Sequence, residues 1–424
     1  MAGGEAMRSS TTGVILALAA LGSLGAAGPR DAVIEVDAGP IDRRETPVVV
    51  PLPEGLAHAR GLTMEGLDDH LPIAVQLVPG ERPGAAWILR DLPAGASRRY
   101  RLAAVEAPTG GDEATCTDDG KDLLLKAGGR PVLRYHHAVV ESPPGLDPVY
   151  RRSGQIHPLY TPSGLVVTDD FPPDHAHQHG LFFAWVNTTF GGHRVDFWNQ
   201  AGRTGRVRHV ETLATAGGPV FGQFAVRLRH EDLTGPDAPT PVLDEVWTVR
   251  AYHVSGPFLV DFETRQTCAG AKPLEINRYH YGGFGLRGQR AWFDPGVKGE
   301  DPPDPARSGR SDFLTSEGKH RADGNHTRAR WVDLSGLVDD RFGGVAVLGH
   351  PDNLRAPQPV RLHPNKPYLS FAPEVLGGFT IAPDSPYTAR YRLATHDGPP
   401  DPAALDRLWR DYAEPPRVRV VEAR

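Results

Sequence analysis

Forty-eight glycines and 41 prolines among 424 residues put a helix-breaking residue at about one position in five. In a helix interior glycine costs roughly 1 kcal/mol and proline about 3 kcal/mol relative to alanine. A long helical bundle is therefore excluded. Hydrophobic residues still make up 39% of the chain, enough to build real cores. What fits is a folded, loop-rich, all-β protein. The net charge of −6 supplies no basic field, so no nucleic-acid partner is expected.

The amino terminus reads as an address rather than as structure. Arg8 precedes an apolar run from Gly13 to Leu21, and small residues follow at Gly25 and Ala27. This pattern predicts a secretory signal peptide over residues 1–27, cleaved near Ala27. The run is too short for a membrane span of roughly 20 residues, and nothing downstream resembles one. The mature chain is expected to be periplasmic or extracellular, with no membrane span. Cys116 and Cys268 are the two cysteines. An exported chain can join them or leave them as thiols, and spacing does not decide between these. Without a CxxC pair, no cysteine-built zinc or iron–sulfur site is expected.

The remaining length suits two domains. Residues 33–105 carry short β-rich runs separated by turns such as Pro79-Gly80 and Pro93-Ala94-Gly95, which predicts a small β-sandwich domain. Residues 106–120, rich in Gly, Asp and Thr, read as a linker. Residues 121–424 read as one large β unit with a C-terminal helix, capped by Asp401, opened by Pro402 and ended at Pro415-Pro416. The polar, proline-rich stretch 296–328 reads as a surface loop.

The densest chemical signal is Asp174-His175-Ala176-His177-Gln178-His179-Gly180. If extended, it points His175, His177 and His179 to one face. Three imidazoles can bind a metal, hydrogen-bond a ligand or move protons near neutral pH. The alternative is that one histidine serves the site while the others hydrogen-bond backbone in a proline-rich turn; the preferred reading is a polar ligand cleft without metal. Further polar and aromatic patches contribute Arg152 and His157, then Trp185, then Arg278, Tyr279 and His280. His350 and Asn353 follow, and the run from Arg361 to Asn365 comes after them. Aromatic faces beside Arg, Asn and His are what a sugar-binding site needs. Phe182, Phe183 and Phe197 read instead as core. Glu263, flanked by apolar residues on a β-like run, is the first choice for a carboxylate partner to a histidine, ahead of Asp261, Asp244, Glu245 and Glu374. No dinucleotide fingerprint, phosphate loop, His-Glu-x-x-His or Gly-x-Ser-x-Gly is present, and no resident cofactor is expected.

These same residues carry a family resemblance. Arg151 through Gly164, Asp169 through Gly180, His280 through Gly283, His350 through Asn353 and Phe371-Ala372-Pro373 resemble the bacterial proteins labelled "methane oxygenase PmoA". The likeness covers roughly residues 120–412. Similar members often have another histidine where this chain has Gln178. The resemblance implies a galactose-mutarotase-like β-supersandwich. It also implies a histidine acid and a carboxylate base acting at a sugar's anomeric centre, here a histidine of 175–179 or His280, with Glu263. Three readings remain open on the sequence. The chain is a carbohydrate-active acid–base enzyme (epimerase, lyase or hydrolase), a non-catalytic glycan-binding protein, or a metal-dependent enzyme using the histidine cluster. Its partner is expected to be a carbohydrate or small polar ligand. Its oligomeric state is not legible.

Overall fold

A computed structural model describes residues 31–80, 83–107, 111–293 and 311–423. Residues 1–27, expected as a signal peptide, lie outside the described residues. Strand accounts for 53% of the structure and helix for 8%, so the fold is all-β. Among the described residues the strands form five antiparallel sheets.

Two eight-stranded sheets make the large unit. Their inner faces share one core, with Leu125, Phe182 and Leu286 from one sheet meeting Phe224, Trp247, Phe262 and Tyr391 from the other. Period-two alternation builds this arrangement. Along Thr240–Tyr252, Leu243, Glu245, Trp247, Val249 and Ala251 are buried, while Asp244, Val246, Thr248 and Arg250 are only partly covered. On Phe258–Cys268, Phe262, Thr264 and Gln266 point inward and Glu263 and Arg265 outward. The register sets Glu245 opposite Gln266.

Glu245 is thus a carboxylate inside a sandwich core, and four donors converge on it. Oε2 accepts from His230 Nε2 at 2.7 Å. Oε1 accepts from Trp247 Nε1 at 2.8 Å, Thr264 Oγ1 at 2.5 Å and Gln266 Nε2 at 3.0 Å. Gln266 Oε1 in turn accepts from Trp185 Nε1 at 2.8 Å, which ties in the residue just beyond the strand Leu181–Ala184 of the opposing sheet. Burial pushes the Glu245 carboxyl up, but hydrogen bonds from His230, Thr264 and Gln266 outweigh it and hold the group below its usual range.

A smaller unit packs a five-stranded sheet on a three-stranded one around Trp87, Leu89, Tyr100 and Leu102. Its five-stranded sheet contains the last strand of the chain, Arg417–Ala423, paired with Asp31–Asp37. The sequence reading ended this unit at residue 105 and did not anticipate that return. Two polar clamps hold the units together. Arg43 meets Asp411 of the C-terminal helix at 3.0 Å with both side chains buried, and Gln76 exchanges hydrogen bonds with the backbone of Val220 and Phe221. The helix runs Pro402–Ala413, with Asp401 accepting from the amides of Ala403 and Ala404. The stretch expected as one loop over 296–328 includes the strand Ser311–Thr315, which pairs with Trp331–Val338; residues 294–310 lie outside the described residues. Cys116 and Cys268 are separate, partly buried thiols.

Removing one member of a buried charged network leaves its partners desolvated and unpaired. Glu245→Ala should therefore cost roughly 3–5 kcal/mol in urea unfolding, and Glu245→Gln clearly less. A loss under about 1 kcal/mol for the alanine variant would show that the network carries no such role.

Candidate functional site

The histidine cluster is not a strand. The His175 amide bonds to Pro172 O at 3.1 Å and the Gln178 amide to His175 O at 2.8 Å, so the stretch folds into successive turns. At Gly180 the backbone is left-handed (φ 57°), and a Cβ there would lie 2.2 Å from the Ile156 carbonyl oxygen. Only glycine lets the chain rejoin the strand Leu181–Ala184 at this point. The turns split the three histidines. His175 and His177 stay together, ring centroids 5.3 Å apart. His179 is fully buried and turns inward. Its Nδ1 lies 2.6 Å from Asp170 Oδ1 and its Nε2 lies 2.9 Å from Gln200 Oε1.

His175, His177 and Gln178 form one wall of a cleft of about 220 Å³. The turn carrying Tyr279, His280 and Tyr281 forms a second wall, with Asn199 beside it. Arg361 on the strand Val360–Leu362, with His363 just beyond it and Tyr368, closes the third. The His363 ring lies 6.0 Å from that of His175.

Beneath this cleft lies a buried arginine. Arg287 grips Asp174 with two bonds, Nη2 to Oδ1 at 2.7 Å and Nη1 to Oδ2 at 2.9 Å, and Nη1 also donates to Gln178 Oε1 at 2.9 Å. Asp174 Oδ2 then accepts from His175 Nδ1 at 2.9 Å. Burial raises the Asp174 carboxyl, but bonds from His175 and Arg287 prevail and hold it well below the usual carboxylate range. Asp174 is therefore ionised, and it fixes His175 with the proton on Nδ1 and Nε2 left to address a ligand.

Two further imidazoles of the cleft, those of His177 and His363, are kept neutral. Burial, then the charges of His175, His179 and Arg287, bring His177 down to about 3. Burial, then Lys366 and Arg361, bring His363 down to about 2. A neutral imidazole presents one donor and one acceptor, which is what a hydroxyl needs.

A second carboxyl sits behind the Tyr279–Tyr281 turn. Glu374 is buried, neither oxygen has a hydrogen-bond partner, and burial pushes it up to about 8. A Cβ on Gly282 would meet Glu374 Oε1 at 2.2 Å, so this glycine makes room for the acid.

The remaining sequence-predicted residues fall elsewhere. Glu263 points outward, pairs with Arg390 at 2.8 Å and is 45% exposed; it does not join the cleft, because it is out of phase with the core-facing residues of its strand. His350 packs on Tyr412 at 5.1 Å in a different hollow, which also contains Trp409. Asn353 braces the backbone of Arg390 from both ends of its amide. Trp185 is core. His157 is partly buried and bonds Thr168 Oγ1 at 3.0 Å. Arg278 is exposed and donates to Val375 O at 3.2 Å, outside the lining. Arg152 lines another cavity. Sequence reasoning noted the run containing Arg361 and His363 without ranking it, and it missed Arg287, Asn199 and Tyr368, whose neighbours give no local signal. Among the described residues no group of three His, Cys, Asp or Glu side chains is placed to hold a metal ion.

Two packed antiparallel sheets with a histidine-lined cleft define an all-β sandwich protein with a concave polar site of mixed imidazole, tyrosine and arginine character. Residues 122–410 match the model described as a family of unknown function (DUF6807), and the chain belongs to that family. No curated protein matches the chain. Among solved structures it is similar to a protein in the glycosyl hydrolase family 38 from Enterococcus faecalis, at 11% identity and a TM-score of 0.44, over 92% of this chain and 47% of that one. It is similar to an alpha-mannosidase from Enterococcus faecalis V583 at 10% and 0.42, over 93% and 46%. A galactose mutarotase related enzyme from Lactobacillus acidophilus gives 9% and 0.26, over 67% and 97%. The chain spans about half the length of the first two. No helix among the described residues is long and apolar enough to cross a membrane.

The site's titration has two signatures of opposite sign. On unfolding, His177 and His363 return to about 6.5. Below that pH the unfolded chain binds more protons, so stability falls as pH drops from about 6.5 towards the folded values. The slope is at most about 1.4 kcal/mol per pH unit for each histidine. Urea unfolding of a His177→Gln/His363→Gln variant between pH 7 and 4 should show a shallower fall than wild type; an identical slope would contradict the assignment. Glu374 acts the other way. It keeps its proton when folded and loses it when unfolded above about 4.3, so it destabilises the fold as pH rises towards 8. Glu374→Gln should be more stable than wild type at pH 7.5 by about 1–3 kcal/mol, and a less stable variant would show that the carboxylate is needed.

Proposed function

We propose that this chain is exported, binds a carbohydrate or similar polyhydroxylated ligand in the His175–His363 cleft and moves a proton on it through His175. The observation that carries this is the Asp174–His175 pair opening onto a cleft with two neutral imidazoles. A histidine held near 2 or 3 is a weak base, because a general base works best with a value near the operating pH. His177 and His363 are therefore suited to hydrogen-bonding hydroxyls, not to accepting protons.

His175 has the other character. With Nδ1–H committed to an ionised carboxylate, Nε2 takes a proton from a ligand hydroxyl or C–H, and Asp174 stabilises the imidazolium that forms. The same Nε2–H returns that proton to another oxygen or carbon of the ligand, which closes the cycle without any other group. This differs from the pairing expected from the sequence, a histidine acid with Glu263 as base: one histidine serves here as both acid and base, and Asp174 orients it. Tyr279 and Tyr281 supply aromatic faces on which the C–H side of a sugar ring can rest. A volume of about 220 Å³ suits a single sugar ring rather than a long oligosaccharide.

A panel of mono- and oligosaccharides, scored for both binding and product, tests this. His175→Gln should retain the wild-type melting temperature and ligand affinity while losing turnover by roughly 10²–10⁴-fold. Binding without product from the wild type would reduce the protein to a glycan-binding module. The absence of both across the panel would contradict the proposal.

A further inference from the structure

A second hollow, larger than the histidine cleft, lies elsewhere on the described surface. A groove of about 910 Å³ lies between the segment 137–153 and the segment 200–209. Five arginines line it: Arg151, Arg152, Arg203, Arg206 and Arg208. Three carboxylates oppose them. Asp147 pairs with Arg203 at 2.8 Å, the buried Glu231 is shared by Arg206 and Arg208 at 2.6 and 2.8 Å, and Glu141 lies exposed on the lining. The walls therefore carry two positive charges in excess. His209, pushed down to about 4 by burial and then by the neighbouring His137 and Arg208 charges, adds a neutral imidazole.

Arg152 is the buried arginine of this lining. Its side chain is 97% buried by area (3% exposed), yet Nε and Nη2 have no hydrogen-bond partner. Glu245 and Asp170 act on it through space, but Glu245 is committed to His230, Trp247, Thr264 and Gln266, and Asp170 to His179. The Phe182 ring, 5.2 Å from the guanidinium carbon, is its one close compensating face among the described residues. A buried guanidinium without a hydrogen-bonded anion is costly, and such charges are ordinarily paired. The backbone is built to hold it there. Gly154 is left-handed (φ 81°), a Cβ on it would strike Leu228 at 2.6 Å, and the next-door Ser153 Oγ accepts from the His209 amide at 3.1 Å.

We propose that this groove is a second binding site, which takes a small molecule bearing an oxyanion (carboxylate, sulfate or phosphate) with its charged group on Arg152 and its remainder along the arginine-lined walls. A planar guanidinium matches such groups with paired hydrogen bonds, and burial strengthens the match. The site is separate from the histidine cleft and does not depend on the activity proposed there.

Calorimetric titration of the full chain with sodium glucuronate, sodium sulfate and sodium phosphate tests this, with sodium chloride holding ionic strength constant and galactose as the neutral control. We expect saturable binding of at least one anion, weakened at least about tenfold in Arg152→Met and unchanged in His175→Gln. Preference for glucuronate assigns an acidic sugar, and preference for sulfate or phosphate assigns an ester of that acid. If Arg152→Met fails to fold, the exposed-rim variant Arg203→Gln/Arg208→Gln decides: weakened binding supports the site and unchanged binding overturns it. The proposal is also overturned if no anion binds saturably, if galactose binds equally well, if Arg152→Met binds as wild type, or if His175→Gln abolishes the binding.

Discussion

One carboxylate in the middle of the sandwich organises what surrounds it. Glu245 can remain charged in the core only because His230, Trp247, Thr264 and Gln266 all donate to it, and because Trp185 from the opposing sheet completes the chain through Gln266. A buried charge of this kind is satisfied by one register and one face-to-face alignment of the sheets. A slip by one residue would send Glu245 to the surface and His230 or Gln266 away from it. The same negative charge acts on Arg152 without bonding to it, which gives that guanidinium a reason to be buried while leaving its hydrogen bonds open.

The two hollows are linked by a short polar path. Asn199 lines the histidine cleft and the adjacent Gln200 lines the arginine groove. Gln200 Nε2 donates to the carbonyls of Val149 and Arg151, which leaves its Oε1 to face His179 at 2.9 Å. His179 in turn is two residues from His177 and is locked by Asp170. The histidine that the cleft loses is therefore the one that fastens the cleft's turns to the wall of the groove. Its burial is a structural role set by two acceptors, one on each ring nitrogen.

How much of this was legible in the sequence depends on whether the signal was local. Glycine and proline excluded a helical fold, and Asp401-Pro402 marked the helix start. The run 174–180 marked the site because its chemistry is contiguous. Its geometry was misjudged, since alternation matters only in an extended chain and this chain turns. The choice of Glu263 illustrates the converse. Its apolar neighbours are one residue away and therefore on the other face, whereas Glu245 is in phase with Leu243, Trp247 and Val249 at spacings of two and four. Phase, not proximity, separates the surface carboxylate from the buried one. The Asp174–Arg287 pair and the placing of His363 against His175 join residues more than 100 positions apart, and nothing near either end announces the partner.

The central claim is that the cleft holds one carboxylate-fixed imidazole beside two that stay neutral. Histidine side-chain nitrogen NMR of the ligand-free chain, recorded from pH 8 to pH 4, reads this directly. The account predicts that His177 and His363 keep the chemical shifts of neutral rings throughout the range, and that His175 at pH 8 is the tautomer protonated at Nδ1. Titration of His177 and His363 together near pH 6.5, or His175 protonated at Nε2, would contradict it.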